Sequence, residues 1–220
     1  MMRQRFALSG LAACVLLAVA CSRNPKANEP SLVPPQTVQM DTETMEKFRE
    51  EVEEYVELRK KVLDHIKPGA PTSSAEDISA RQRSLTQAIV AYRKGKKRGN
   101  IFKKDVEAAI RRTLHREFTG PDGPGLMKAV QQGNPKVEGN PNPKDPSKDV
   151  LQPVTIAVNA IYPDAAPFST VPASLLLKLP QLPEEVRYRF VGRTLILRDT
   201  EANVILDYIP DVVPDPTLPR

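Results

Sequence analysis

The densest group of residues able to bind a charged ligand is a short basic run in the middle of the chain. Five of the six residues from Arg93 to Arg98 are cationic. Such a run predicts a surface that binds anions, because clustered charges of one sign attract groups of the opposite sign. The predicted anion-binding residues are Arg93, Lys94, Lys96, Lys97 and Arg98.

Charge along the neighbouring sequence offers a simpler interpretation. Residues 41–64 hold nine acids and five bases, whereas residues 81–116 hold twelve bases and two acids. If the two segments pack side by side, much of this charge is neutralised within the protein. Charge runs are usually solvated faces, so we favour neutralisation and keep anion binding as the alternative.

The first twenty residues, 1–20, have the layout of an export signal. Arg3 and Arg5 precede residues 6–20, which carry no charge. A positive start followed by a short apolar stretch is typical of a secretory signal peptide. The stretch falls short of the ~20 residues that a membrane-spanning helix needs, so a permanent transmembrane anchor is the weaker interpretation.

Cys21 directly follows Ala18-Val19-Ala20, and here the sequence resembles a bacterial lipoprotein signal. The resemblance implies cleavage before Cys21 and attachment of a lipid to its thiol. Cys14 follows Leu11-Ala12-Ala13 and matches the lipoprotein pattern better, but it leaves a shorter apolar stretch before it. We favour lipidation at Cys21. The remaining alternative is ordinary cleavage, which gives a soluble periplasmic protein.

The residue after the cysteine bears on location. Ser22 stands where an Asp would favour retention in the inner membrane of many bacteria, so the resemblance implies an outer-membrane lipoprotein that faces the periplasm. Basic runs commonly bind nucleic acid, but an exported protein is separated from it, so we predict no nucleic-acid partner. The predicted partners are the membrane, through the lipid anchor, and an envelope protein or an anionic lipid or wall polymer.

Few residues are suited to catalysis or metal binding. The chain has two histidines and two cysteines, and no nucleotide-binding, serine-hydrolase or metalloprotease motif is recognisable. We therefore predict no cofactor, no metal and a non-catalytic role. The alternative is a periplasmic enzyme with a site near His115.

Asp199, Glu201 and Asn203 imitate the start of a calcium-binding loop, but the Gly and Glu that such a loop needs at later positions are missing. A hairpin turn is therefore favoured over a calcium site.

Hydrophobic periodicity predicts a helical region over residues 41–133. The apolar face of the first helix is interrupted by Arg59. A capping box of Ser73 and Glu76 is expected to start the second helix, with Ile78 and Tyr92 on its buried face. The predicted helices cover 41–67, 73 or 74 to Gly99, and 102–118, with one or two further turns at 126–132.

Residues 154–212 change to the period of a sheet and form a small β-rich region, which we expect to pack on the helices. Alternation over Val186–Phe190 is typical of a half-buried strand, and Gly192 permits a tight turn after it. The predicted strands are 154–162, 186–190, 194–197 and 204–209, with a short helix at 173–179.

Proline-rich segments separate these regions. Residues 21–40 are predicted to be a disordered tether, 134–153 a linker and 213–220 a disordered tail. At the polyproline rise of ~3.1 Å per residue, such a tether could reach about 60 Å from a membrane.

A second resemblance rests on five short stretches: Asn100-Ile101-Phe102, Phe118–Gly123, Val158-Asn159-Ala160, Tyr162-Pro163 and Tyr188–Arg193. With them the chain resembles an uncharacterised group of exported bacterial proteins over roughly residues 43–211. The resemblance implies one composite unit and transfers no activity. We therefore predict an α+β fold, in which a three-helix part precedes a small antiparallel β-meander, in an exported, lipid-anchored envelope protein with a binding or structural role.

Overall fold

The first helix begins where Asp41 caps it. The Asp41 carboxylate accepts hydrogen bonds from the backbone N–H and the hydroxyl of Thr44, at 2.8 and 2.9 Å. In the computed structural model, helix α1 covers Thr42–Leu63. It ends before the predicted Lys67, because the N–H groups of His65 and Ile66 bond to carbonyls three residues back, as in a tight turn. Its buried face is Phe48, Val52, Tyr55, Arg59 and Val62.

The structure describes residues 41–66, 74–132, 154–163, 166, 169 and 171–215, and all of them belong to one compact unit. The predicted signal 1–20, the tether 21–40 and the linker 134–153 lie outside the described residues. Val213 is buried, so packed structure extends past the predicted boundary at 212 into the segment predicted as a tail. No helix within the described ranges is long and apolar enough to cross a bilayer.

Helix α2 covers Ala75–Tyr92 and starts with a capping box one position later than predicted. The Ser74 hydroxyl accepts from the N–H of Asp77, and the Asp77 carboxylate accepts from the N–H of Ser74. The predicted pair of Ser73 and Glu76 is therefore wrong, and Ser73 itself lies outside the described residues.

The end of α2 also differs from the prediction. The helix stops at Tyr92, and residues 93–100 form turns instead of continuing to Gly99. Gly95 and Gly99 have φ angles of +85° and +83°, which glycine adopts without strain and an α-helix does not contain. Tyr92 and Ile78 lie near the two ends of α2, and both are exposed rather than buried as predicted.

Two helices follow the basic segment. Helix α3 covers Lys104–Thr119 and confirms the third predicted helix, with Val106, Ile110 and Leu114 buried. Helix α4 covers Gly123–Gln131 and begins three residues before the turns predicted at 126–132, because Pro124 suits the first turn of a helix. A side chain at Gly123 would overlap the backbone of Phe118, so the turn between the two helices needs glycine there.

A short helix, α5, covers Ala173–Leu176 and precedes a three-stranded antiparallel sheet in the order β1-β2-β3. The sheet confirms the predicted meander, with Val191 opposite Thr194 beside Gly192, whose φ is +59°. The predicted strand at 154–162 is wrong: among the described residues its ladder pairing is limited to the isolated bridge of Ile161 with Val204. The strands are β1 Val186–Val191, β2 Thr194–Asp199 and β3 Ile205–Ile209.

The two faces of the sheet are buried by different parts of the chain. One face packs on the helices, where the rings of Phe190 and Phe118 meet edge to face with centroids 6.2 Å apart. The other face is covered by the irregular segment that starts at Val154, with Tyr162 fully buried against it. The β-rich region thus packs on the helices, and the fold is α+β.

Asp199, at the end of β2, joins the sheet to α1 although its side chain has no access to solvent. Its Oδ2 accepts hydrogen bonds from the Tyr55 hydroxyl at 2.6 Å and from Arg59 Nε at 2.9 Å. Its Oδ1 accepts from the backbone N–H groups of Glu201 and Ala202. Burial and the Asp199 charge raise the pKa of Tyr55 far above its ordinary value, so the phenol remains a donor.

These contacts explain why Arg59 interrupts the apolar face of α1. The guanidinium also reaches Glu201, with Nη2 2.5 Å from Oε2, so it is paired with two carboxylates. The predicted hairpin turn at Asp199, Glu201 and Asn203 is confirmed, and Asn203 occupies its left-handed position with φ +59°. The two carboxylates of the apparent calcium loop therefore bind an arginine of α1.

We expect Asp199→Ala to lower the free energy of unfolding by about 3–5 kcal/mol, because it leaves the buried charge of Arg59 and the phenol of Tyr55 without their shared partner. Urea unfolding followed by circular dichroism measures this change. Glu57→Ala, at an exposed position of the same helix, should change the free energy of unfolding by less than about 0.5 kcal/mol. A loss below about 1 kcal/mol for Asp199→Ala would show that the junction is not important for stability.

Candidate functional site

Arg93, the first residue of the predicted anion-binding surface, belongs to the protein interior. Its side chain is only 4% exposed, and its guanidinium lies 5.4 Å from the centre of the Tyr55 ring. Nη2 donates to the carbonyl of Leu206 at 2.7 Å, and Nε donates to the side chain of Asn159 at 3.0 Å. Burial lowers the pKa of Arg93. Arg93 is therefore a link between α2 and the sheet, which corrects its assignment to an exposed surface.

The other four cations are exposed on a loop, Lys94–Arg98, which we call the basic loop. Two backbone hydrogen bonds fold it: the N–H of Lys96 donates to the carbonyl of Arg93, and the N–H of Asn100 donates to that of Lys97. The loop leaves α2 through the buried Arg93 and enters α3 through the buried Ile101 and Phe102. Its two ends are thus anchored in the core while its cations face outward.

Asp207 in β3 binds the backbone just after the basic loop. This carboxylate is fully buried and accepts hydrogen bonds from the N–H groups of Gly99 at 3.0 Å, Ile101 at 2.8 Å and Phe102 at 2.9 Å. A carboxylate that collects several backbone donors is a strong local constraint, because the bonds are charge-assisted. Asp207 therefore fixes the path of the chain from the basic loop into α3.

Part of the positive charge on this surface is neutralised by acids. Lys96 Nζ lies 3.9 Å from Glu54 of α1, and Arg98 lies 3.3 Å from Glu107 of α3. These contacts agree with the favoured interpretation, in which the acidic first helix packs beside the basic segment. Lys94 and Lys97, by contrast, form no ion pair with any acid in the described part of the chain. We therefore expect an external anion to contact these two lysines first.

A shallow groove separates α1 from the start of the basic loop. It holds about 310 Å³, including space open to solvent, and Tyr55 and Arg93 are among its lining residues. Glu54 and Lys96 also line it and bring opposite charges to it. Tyr92 lines the groove as well, although 65% of that residue is exposed. The surface thus combines cations with one large aromatic ring.

His115, the residue of the alternative enzyme prediction, lies at the protein surface. It is exposed on α3, and within the described residues its ring makes no hydrogen bond or ion pair. Its backbone carbonyl accepts from the hydroxyl of Thr119, which is a contact within the helix. Among the residues that the structure covers, no three His, Cys, Asp or Glu side chains lie close enough to hold a metal ion. Cys21 and Cys14, the candidates for lipidation, lie outside the described residues.

Asp207 and the role of Asp199 were not predicted from the sequence. Asp207 is an acid inside the otherwise apolar strand Ile205–Ile209, and Asp199 is the last residue of the fully buried strand β2. Charged residues are almost never fully buried unless they are paired, so an acid in a buried strand is a signal that could have been read. The sequence could not show which donors lie opposite these acids.

Known proteins add no assignment. The chain matches no protein-family model, no curated protein and no solved structure. The resemblance to exported bacterial proteins therefore stays a prediction, and function is inferred from the residues of this chain.

We expect Asp207→Ala to loosen the basic loop and to lower the free energy of unfolding by about 3 kcal/mol, because three backbone N–H groups, two of them buried, lose their acceptor. Hydrogen exchange should accelerate at Gly99, Ile101 and Phe102 first. Asp207→Asn keeps one acceptor oxygen and should have a smaller effect. Unchanged exchange at these three amides in Asp207→Ala would contradict the assignment of Asp207 as the support of the loop.

Proposed function

We propose that the protein is an exported, lipid-anchored envelope protein with a non-catalytic role, and that the basic loop binds phosphate-bearing groups of the envelope. The observation that carries the binding proposal is the position of Lys94 and Lys97. Both project from a loop that the buried Asp207 supports, and no acid in the described residues pairs with them. The export and anchoring proposals rest on residues 1–21.

Anchor and loop would act together. A lipid chain at Cys21 with the tether 21–40 would confine the folded unit to a layer about 60 Å deep next to the membrane. Because the anchor keeps the folded unit in that layer, the effective concentration of the basic loop at the membrane surface is high, and this favours even a weak charge contact. Each lysine near an anionic surface contributes about 1 kcal/mol, so two or three suffice for a reversible contact.

The absence of Asp after Cys21 supports a position in the outer membrane, with the folded unit in the periplasm. A soluble periplasmic form remains the alternative if the signal is cleaved without lipidation. A partner protein with an acidic surface would use the same two lysines. Neither His115 nor another described residue offers an observation in favour of an enzyme.

Lipid attachment predicts that cells grown with a radioactive fatty acid label the protein and that Cys21→Ser removes the label. The physical reason is that only a thiol at the cleavage site receives the lipid. Cys14→Ser is the matched control and should keep the label. Label that disappears with Cys14→Ser but not with Cys21→Ser would move the anchor, and no label in the unsubstituted chain would contradict the lipid anchor.

Anion binding predicts that the double substitution of Lys94→Ala with Lys97→Ala lowers the affinity for phosphatidylglycerol vesicles about 30-fold, at about 1 kcal/mol per charge. Co-sedimentation measures this with residues 21–220 carrying Cys21→Ser. This chain contains every residue that the structure describes, from 41 to 215, and it lacks the predicted signal.

The matched control removes the same charge elsewhere. Lys60→Ala with Lys61→Ala takes two exposed cations from the end of α1. Equal losses for both pairs of substitutions would mean that net charge alone governs binding. That result would contradict a role for the basic loop.

A further inference from the structure

We propose that Tyr92 and the basic loop dock together on a phospholipid bilayer that contains anionic lipids, with the Tyr92 ring at the level of the headgroups. This inference rests on the proposed function and names the occupant of its surface. It is carried by the exposure of Tyr92, by the rigidity of the loop and by the distribution of charge around them.

Tyr92 is a large aromatic residue that the fold leaves in solvent. It is the last residue of α2, and 65% of it is exposed although the next residue, Arg93, is buried. Tyrosine combines an apolar ring with a polar hydroxyl, and it is enriched where one end of the side chain is apolar and the other is wet, as at the surface of a bilayer. The ring therefore suits the boundary between headgroups and acyl chains.

The loop that follows Tyr92 is anchored at both of its ends by hydrogen bonds. The carbonyl of Arg93 accepts from the amide of Asn159 at 2.8 Å, while the Arg93 guanidinium donates to Leu206. Asp207 holds the far end of the loop through three N–H groups. A surface that is ordered before binding loses little conformational entropy on binding, so a few contacts are enough.

Charge and ring together favour a bilayer over other anionic partners. Lys94 and Lys97 can contact lipid phosphates, as cations near the surface of an anionic leaflet do. A soluble anionic polymer would use these lysines but leave Tyr92 without a partner, whereas a bilayer accommodates both. Glu54 carries the opposite charge beside this surface, and its weak contact with Lys96, at 3.9 Å, leaves its side chain 70% exposed. Its charge should oppose docking.

The chain contains no tryptophan, so Tyr92→Trp introduces a single fluorescent reporter at the proposed contact. The protein carrying this substitution is purified from membranes with its anchor and reconstituted into vesicles of phosphatidylglycerol and brominated phosphatidylcholine. We expect emission at a shorter wavelength than in solution, and an emission intensity at least about twofold lower than in vesicles without brominated lipid, because the aromatic ring sits at the membrane interface.

Leu177→Trp is the matched control. Leu177 is 84% exposed but follows α5, away from the basic loop in sequence, and tests whether exposure alone brings a residue to the bilayer. Its quenching should be weak. Adding Lys94→Ala and Lys97→Ala to Tyr92→Trp should abolish the quenching, and Glu54→Gln should increase vesicle affinity about fivefold.

The outcomes separate this inference from the proposed function. An unquenched reporter in Tyr92→Trp, or equal quenching in Tyr92→Trp and Leu177→Trp, overturns bilayer docking even if the two lysines still govern anion binding, which would point to a wall polymer or an acidic protein. If no lipid is attached in the labelling experiment, the same reporters are compared in residues 21–220 added to vesicles from outside. Tyr92→Ala gives an independent reading: it should weaken vesicle binding, and unchanged affinity would contradict a role for the ring.

Discussion

Two carboxylates without access to solvent, Asp199 and Asp207, hold the helices on the sheet. Both face the helical side, and both take donors from it: side chains of α1 for Asp199, and backbone N–H groups before α3 for Asp207. A buried charge is tolerated only when it is paired and hydrogen-bonded. A shift of β3 by one residue would turn Asp207 to the other face, so these bonds also select the register of the sheet.

Ion pairs between α1 and the basic segment decide how much positive charge remains on this surface. The acidic α1 lies beside the basic segment, and Glu51 and Glu54 pair with Lys103 and Lys96. Such exposed pairs contribute little to stability, but they reduce the net charge of the surface that they share. On the basic loop, Lys94 and Lys97 keep no acid partner among the described residues, and Tyr92 lies next to them in the sequence. A strongly basic stretch of sequence has thus become a limited and well-supported patch.

Under the proposed function, this patch would work at short range. A tethered unit needs only weak affinity for a surface that its anchor keeps nearby, and a rigid loop makes such an affinity attainable with few contacts. The proposed bilayer contact would also orient the folded unit, because the patch lies where α2 ends and α3 begins. Surfaces away from this patch would then be free to meet other envelope components.

Periodicity and turn residues were enough to predict three helices, the three-stranded meander and the turn at 199–203, because these depend on neighbours in the sequence. The burial of Arg93, the end of α2 at Tyr92 and the irregular path of residues 154–162 were decided only by the tertiary structure. The partners responsible, Asn159, Leu206 and Asp207, lie far along the chain from the residues that they hold. The local sequence shows which side chains can form hydrogen bonds and ion pairs. Tertiary packing decides which of these bonds form, because a buried donor or acceptor needs a partner and the fold determines which groups lie next to it.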